Sequence, residues 1–543
     1  MNPTWILRCA VAASLAAGCS SASPSATDAG PSTDVVADAA RADGSADAAA
    51  DGSADAPAVI DASGPFTLAP GEVAEVPWNA GTAALRVATS VGTERYVLVL
   101  ASTQLDAVGD PVAYTVSASA AVGSPRPTVV SGCSLDAARW RAMTLPAETA
   151  PTGTAPAMGT ERSFDVPTGA GTSERITARV IAVGERSVVW ADTTAAHPAT
   201  LDPAFVTSFV GTFDQTIVPR ERTEFGTESD IDHDGRIALL FTPLTNRTAV
   251  AFFQQCDLQR VAGCRASNGA EVLYLTPPNV IRPPYNTVNA MNEILAHELG
   301  HLIHFGRKVL RNHLPGWDDN AYMIEGFGAL AQDVIGFQAG NLYVTQAGLD
   351  QIDSLSLADI VVDRGAYDAT RDGTLRGGAY LFVRWLYDRG GGDVANADGS
   401  VTNRGGPAFV RTLIDDVDTV AGALPTVSGA AMPDVAMDFF TTLAVSNRDE
   451  DHGVAPVNGC FAYLPVAHDP VTMDPRGADV FATFHGMQMH GPATQPVGSA
   501  DGMLRPGGVE FLSLDATAGQ PEVAVTVTVD PGVAPRLRIG RIR

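Results

Sequence analysis

One apolar run with helical spacing constrains the fold of this 543-residue chain more than any other feature. Between Met291 and Phe305 apolar residues recur every three to four positions, which predicts a helix with a buried face. The run contains the sequence HELGH, in which His297 and His301 stand four residues apart. Such residues differ by about 40° around a helix axis and about 6 Å along it. Both imidazoles can therefore contact one ion from a single rigid element.

Glu298 lies between the two histidines and has a different role in this pattern. It points about 100° away from His297 around the helix axis, which is too far for it to join the imidazoles comfortably as a ligand. It can instead reach a water held at the open position of the ion. This division between histidine ligands and a glutamate base explains the HExxH pattern of zinc hydrolases. The alternative interpretation is two hydrogen-bonded histidines on a helix surface.

A third metal ligand has to come from elsewhere in the chain. The metzincin pattern would need Gly at position 304 and His or Asp at position 307, but His304 and Arg307 stand there. Glu325 follows His301 by 24 residues and lies at the start of a second helical run. A hairpin of antiparallel helices would bring its carboxylate beside the ion, which makes it the preferred ligand. The rival ligands are Asp318, Asp319 and Asp333.

Several segments together resemble the hyicolysin-type neutral metallopeptidases, a group of gluzincins. They are DIDHDGRIALLF, SNGAEVLYL, LAHELGHLIHF, IEGFGALAQD and GGAYLFVRWLYDRGG, and the resemblance covers roughly residues 160–450. It implies a zinc (Zn2+) endopeptidase in which His297, His301 and Glu325 hold the metal. Glu298 would then activate the metal-bound water that hydrolyses the peptide bond. Relatives commonly have Asn or Asp before the ligand glutamate, whereas Ile324 stands here.

Peptide hydrolysis also needs a hydrogen-bond donor for the oxyanion besides the metal. Tyr380 is the candidate, because a turn leads into a helix at GGAYLF, and Tyr367 is its rival. A buried core position for Tyr380 is the other interpretation. The alternative function for the whole chain is a catalytically inactive, zincin-like surface protein that binds other molecules.

The pattern of apolar residues divides the chain into six parts. The expected fold class is α+β, with a zincin-like domain of mixed sheet and helices at residues 160–450, flanked by two β-sandwich-like modules. The expected parts are a signal peptide (1–18), a lipidated cysteine with a disordered Ala/Asp/Ser tether (19–63), a small β-domain (64–125), a linker (126–159), the zincin-like domain (160–450) and a C-terminal β-domain (451–543).

The N-terminus predicts export. A short apolar run ends in LAAGC, which resembles the lipobox of bacterial lipoproteins and makes Cys19 the expected lipidation site. The expected location is the outer membrane or cell surface, or the extracellular space after ordinary signal cleavage. Contact with the membrane is then through the lipid alone. The net charge of −26 argues against nucleic acid, so the expected partner is a protein or peptide substrate of a monomeric enzyme.

The remaining cysteines agree with export to an oxidising compartment. Four are left once Cys9 and Cys19 are set aside. Cys256 and Cys264 would close a short loop, and this pairing leaves Cys133 for Cys460. Free buried thiols are the alternative.

An acidic turn precedes one of the expected strands. Asp230, Asp232 and Asp234 have the spacing of a calcium (Ca2+) loop, but Phe241 stands where an EF-hand needs its glutamate. The two interpretations are another kind of calcium-binding turn and a solvated turn that caps the strand.

Overall fold

A computed structural model describes residues 64–543 apart from 106–108, 121–123, 136, 147, 170–171, 261–263, 265, 284, 318, 339–340, 363–370, 449–452, 485–486 and 499. This part of the chain is a mixture of helices and sheets. The expected signal peptide, Cys19 and the tether lie outside the described residues. Within those ranges no helix combines the length and apolarity that crossing a bilayer requires.

Twenty-one strands and twelve α-helices are described. The strands are β1 (Val73–Val76), β2 (Trp78–Asn79), β3 (Thr82–Ala88), β4 (Arg95–Ser102), β5 (Val112–Ser117), β6 (Thr128–Val129), β7 (Glu161–Gly169), β8 (Thr172–Val183), β9 (Ser187–Asp192), β10 (Ile237–Phe241), β11 (Ala251–Phe253), β12 (Val272–Leu275), β13 (Asp393–Ala395), β14 (Val401–Asn403), β15 (Thr483–Phe484), β16 (Met487–Gln488), β17 (Gln495–Pro496), β18 (Asp501–Leu504), β19 (Val509–Asp515), β20 (Glu522–Val529) and β21 (Pro535–Arg541). The helices are α1 (Ala137–Arg141), α2 (Pro203–Thr212), α3 (Val218–Phe225), α4 (Gln255–Leu258), α5 (Val288–Phe305), α6 (Ala321–Val334), α7 (Asn341–Asp350), α8 (Leu357–Val361), α9 (Asp372–Gly390), α10 (Gly406–Asp415), α11 (Val420–Ser428) and α12 (Met432–Val445).

The first half of the expected zincin-like region forms a six-stranded mixed sheet in the order β11-β12-β10-β9-β8-β7. The central strands β9, β10 and β12 are parallel, and β7, β8 and β11 join them in antiparallel pairs. Every residue of β10 and β12 is buried, as the continuous apolar runs of parallel strands require. The short strand β11 forms one edge of this sheet.

The helix with the HELGH sequence, α5, is a core element. It begins after Thr287, whose hydroxyl accepts a hydrogen bond from the backbone N–H of Ala290 at 3.2 Å and so caps the helix. Its side chains from Leu295 to Phe305 are all buried, which includes the polar ones. Each buried leucine contributes about 1.5–3 kcal/mol to folding, so packing holds this helix more firmly than its capping does. The site residues therefore lie on a rigid support.

Three further helices pack one on another, beginning from α5. Helix α6 lies antiparallel to it, since Gly300 contacts Ala331 and His297 contacts Gln332. Helix α9 packs against the other side of α6, and α7 packs against α9. Helices α7 and α9 come close because the backbone of Gly377 approaches that of Gly348.

The two expected β-modules form a single sandwich, which corrects the domain boundaries at 64–125 and 451–543. One sheet has the order β17-β19-β4-β21-β1-β6 and the other β18-β5-β20-β3-β2, so each sheet contains strands from both ends of the chain. Val97 of β4, for example, pairs with Gly540 of β21. The two inner faces share one apolar core, which neither end can bury alone. The region expected to be zincin-like is thus inserted between the two halves of a sandwich.

The segment expected to be a linker, residues 126–159, is also part of the packed structure. Trp140 of α1 is buried and contacts the ring of Phe409 edge-on, with the ring centroids 4.9 Å apart. Glu148 accepts a hydrogen bond from Arg307 at 2.7 Å. A composition rich in Thr, Pro and Gly predicted a loop but did not reveal these anchor residues.

Two disulfides join distant and close parts of the chain. Cys133 is bonded to Cys460, with their Cα atoms 5.3 Å apart, and Cys256 to Cys264, with their Cα atoms 5.6 Å apart. The first closes a loop of 327 residues and the second a loop of 8.

We expect the Cys133→Ser/Cys460→Ser double variant to lose about 3 kcal/mol more stability than Cys256→Ser/Cys264→Ser, since the entropy that a cross-link removes from the unfolded chain grows with loop length. Chemical unfolding of both variants and the parent protein, followed by fluorescence, measures the difference. An equal or larger loss in the short-loop variant would contradict this account.

Candidate metal centre

The two histidines of the HELGH sequence lie side by side on α5. Their imidazole centroids are 4.5 Å apart and the rings are perpendicular. Both side chains are buried, with His297 7% and His301 3% exposed. One helical turn separates them, so both rings project from the same face toward α6.

Helix α6 carries Glu325 to the same place. The helix is capped by Asn320, whose side chain accepts a hydrogen bond from the N–H of Tyr322 at 2.8 Å. Glu325 Oε2 lies 3.3 Å from Nε2 of His297, and Oε1 lies 3.8 Å from Nε2 of His301. One ligand atom from each of the three residues falls within 4.8 Å of the others. The helical hairpin expected from the sequence thus brings these groups together.

Two glycines allow α5 and α6 to approach so closely. A Cβ atom at Gly300 would lie 2.6 Å from Cβ of Ala331, and one at Gly328 would lie 2.7–2.8 Å from the rings of His297 and His301. Any larger residue at 328 would occupy the space of the imidazoles. The glycines are therefore part of the geometry of the site.

The atoms that face the centre of this group suit a cation. Within the described part of the chain, Nε2 of His297, Nε2 of His301 and Oε1 of Glu325 are buried without a hydrogen-bond partner. Leaving such groups unsatisfied is costly, and two imidazole nitrogens with a carboxylate oxygen form a ligand set that zinc accepts. The three residues therefore fit a metal ion.

The orientation of the His297 ring is fixed by a contact of its Nδ1 atom. Its Nδ1 lies 3.0 Å from Oε1 of Gln332, which is two turns beyond Glu325 on α6. This contact makes Nδ1 the protonated nitrogen and leaves Nε2 to bind the ion. The sequence analysis did not identify Gln332, although its spacing of seven residues from Glu325 places both on one helix face.

Glu298 is held by the edge of the sheet. Its Oε2 accepts a hydrogen bond of 2.9 Å from the backbone N–H of Phe253 in β11. Burial raises the pKa of Glu298 to about 7, and the neighbouring His297 opposes part of that rise. A carboxyl with a pKa near neutrality is suited to accept and return a proton.

The electrostatics of the other groups favour ligand binding. Burial lowers the pKa of His301 to about 3, with a further contribution from His297, so its imidazole is neutral at pH 7. Burial alone would raise the pKa of Glu325, but the guanidinium of Arg376 and the two neighbouring histidines lower it to about 2. A neutral imidazole and an ionised carboxylate are the forms that bind metals.

The rival ligands are engaged elsewhere. Asp319 accepts a hydrogen bond from the N–H of Val420 at 2.6 Å and lies 3.7 Å from Nζ of Lys308. Asp333 accepts hydrogen bonds from Arg384 and from the N–H of Gly477. Asp318 lies outside the described residues.

The expected role of Tyr380 in oxyanion binding does not fit its contacts. Its ring lines the cavity beside His297 and Glu325, but its hydroxyl donates to Oδ2 of Asp333 at 2.9 Å. The side chain is 2% exposed. Tyr380 is a core residue here, because GGAYLF is the interior of a long buried helix and no turn exposes it. Tyr367 lies outside the described residues.

Arg376 is a site residue that the sequence did not indicate. It lies on α9 one turn before Tyr380 and its Nη1 contacts Oε2 of Glu325. Its Nε donates to Oδ1 of Asp372 at 2.7 Å. An arginine in a helix rich in arginines carries no local signal that it faces Glu325, since only the packing of α9 on α6 decides this.

The acidic turn differs from the calcium set expected from the sequence. Asp230 and Asp232 group with Glu271, and Asp234 instead accepts a hydrogen bond of 2.8 Å from the N–H of Arg236. Glu271 accepts hydrogen bonds from Ser229 and from the N–H of Ile231. These carboxylates satisfy the donors of their own turn, so the contacts do not support a calcium site.

Comparison with known proteins gives one partial match. The sequence is 30% identical over 122 residues to the neutral metalloprotease ShpI of Staphylococcus hyicus, a match that covers 20% of this chain and 27% of that protein. The chain thus matches little more than a quarter of the length of this relative. No family model matches the sequence. The match relates the chain distantly to a metalloprotease and implies a metal cofactor.

We expect Gly328→Ala to weaken metal binding at least tenfold, because the added methyl group would displace both imidazoles. Zinc affinity measured against a chromophoric chelator tests this, with circular dichroism to establish that the helices are intact. Gly373→Ala in α9 is the matched control, since a Cβ there meets no atom within 4 Å. Equal affinity of the two variants would contradict the steric role of Gly328.

Proposed function

We propose that the protein is an exported zinc endopeptidase of the gluzincin type. His297, His301 and Glu325 would hold the metal, and Glu298 would act as the general base. The observation that carries the proposal is the convergence of three buried ligand atoms without hydrogen-bond partners among the described residues. The distant match to a neutral metalloprotease supports it independently.

The chemistry divides between the cofactor and the chain. Zinc with three protein ligands supplies a Lewis acid with one open position. Glu298 accepts a proton from the attacking water and passes it to the departing amine. The amide of Phe253 keeps its carboxylate in place during both transfers. Gln332 keeps Nε2 of His297 available for the metal.

The position of β11 suggests how a substrate would bind. This strand is the edge of the sheet and contacts Glu298 through its backbone. An extended peptide that pairs with an edge strand gains main-chain hydrogen bonds without regard to its side chains. A peptide bound there would pass the general base, which favours an endopeptidase acting within unfolded or extended segments.

The proposal includes a zincin-like catalytic domain in an exported lipoprotein. The mixed sheet, α5 and the antiparallel α6 support the fold assignment. The two disulfides support an oxidising compartment outside the cytoplasm. The lipid on Cys19 is proposed from the LAAGC sequence.

We expect Glu298→Gln to retain zinc and to lose at least about 100-fold in kcat/KM, because the amide cannot accept the proton. Digestion of casein and of a peptide library, with zinc content measured in parallel, tests this. Glu293→Gln is the matched control, since Glu293 lies on the same helix and is only partly buried.

Three outcomes distinguish the possible functions. Cleavage that stops on chelation and returns with zinc supports the proposal. Cleavage that persists in Glu298→Gln contradicts the assignment of the base. A parent protein that binds zinc but cleaves no substrate would instead support a catalytically inactive binding protein.

A further inference from the structure

Helices α6 and α9 are joined by two matching ion pairs. On α6, Glu325 and Asp333 stand eight residues apart, and on α9 Arg376 and Arg384 have the same spacing. Arg376 contacts Glu325, and Nη1 of Arg384 lies 2.8 Å from Oδ2 of Asp333. Eight residues correspond to about 12 Å of helix, so the two helices run parallel and in register.

Each arginine is also paired within its own helix. Arg376 bonds to Asp372 one turn before it, and Arg384 bonds to Asp388 one turn after it, both at 2.7 Å. The two arginine side chains are 4% and 2% exposed. Both pairs are thus buried and similar in their chemistry. They differ in surroundings, because only the pair of Arg376 and Glu325 borders the two histidines.

The two carboxylate oxygens of Glu325 have different contacts. Oε2 contacts the guanidinium and also lies 3.3 Å from Nε2 of His297, whereas Oε1 has no hydrogen-bond partner in the described ranges. Oε1 is the oxygen on the side of His301. The guanidinium of Arg376 bridges two carboxylates, with Nη1 on Glu325 and Nε on Asp372, which a single point charge could not do in this geometry.

The local charge balance allows a cation beside this arginine. The carboxylates of Glu325 and Asp372 together outweigh the single charge of Arg376. These three groups therefore leave a net charge of about −1 next to the two imidazoles. The same balance argues against a role for Arg376 in binding the carboxylate of a substrate, because both of its faces already contact acids.

We propose that Arg376 is a positioning residue for the metal ligand Glu325. It holds Oε2 so that the unpartnered Oε1 is left for the metal. The inference rests on the metal site of the proposed function. The equivalent pair of Arg384 and Asp333 has a structural role only, since Asp333 also bonds to Tyr380 and to the N–H of Gly477.

The test compares Arg376→Met with Arg384→Met in the full chain. We expect Arg376→Met to lower zinc affinity about 10- to 100-fold, as the loss of groups that orient metal ligands does. The visible spectrum of the Co2+-substituted protein should change as well, because the carboxylate is free to bind through both oxygens. Arg384→Met should lower the melting temperature but leave zinc affinity and the Co2+ spectrum unchanged.

Arg376→Lys tests the positioning role of Arg376 if the methionine variant does not fold. Its ammonium cannot bridge both carboxylates, so we expect a smaller loss of affinity together with an altered Co2+ spectrum. Unchanged or increased zinc affinity with an unchanged spectrum in the folded variants would overturn the inference, because Arg376 would then be only a nearby charge. A parent protein that binds neither zinc nor Co2+ would instead overturn the proposed function.

Discussion

The close packing of α5 against α6 is the contact on which the candidate site depends. The two helices approach through Gly300 and Gly328, where any side chain would meet Ala331 or the imidazoles. This approach buries Glu325 beside two histidines, in surroundings that an isolated carboxylate would not tolerate. The positive charge of Arg376 stabilises the buried carboxylate of Glu325, and a bound cation would stabilise it further. The close approach of the two helix backbones therefore determines which charged groups are brought together, and with them the electrostatics of the site.

Four separate parts of the chain supply the groups around the centre. The sheet edge provides the amide of Phe253, α5 the HELGH sequence, α6 Glu325 and Gln332, and α9 Arg376. The sandwich supports this assembly from outside. The N–H of Leu357 donates to the carbonyl of Gly507, and Arg538 bonds to Asp438 of α12. The helical half and the sandwich thus form a continuous structure.

Local spacing was enough to predict that the side chains of His297, His301 and Glu325 come together. The four-residue interval between His297 and His301 fixes their common face in any helix, and a glutamate at the start of the next helix was the natural partner. Gln332, Arg376 and Phe253 could not be found in this way. Their roles depend on which helix or strand packs next to them. Tyr380 illustrates the opposite error, because a glycine pair before it resembled a turn but lies inside α9.

The alternation of apolar and polar residues predicted strands at both ends of the chain. It does not specify which strands pair with each other. Each end contained enough strands for a small sheet, so two modules were the simplest arrangement. The structure instead pairs Val73 with Gly540 and Val87 with Val523. The linker prediction failed for the same reason, because Trp140 and Cys133 gain their partners only from the distant residues Phe409 and Cys460.

The interleaved sandwich also determines the order in which the molecule is assembled. Strands β3, β4 and β5 are synthesised some four hundred residues before β19, β20 and β21, which complete their sheets. Contacts of such long range form late, and until then the early strands expose unpaired edges and apolar faces that favour aggregation. A growing chain must keep these strands apart until its last segment emerges. Neither sheet of the sandwich can be completed before the C-terminal strands are available, a demand that two independent terminal modules would not impose.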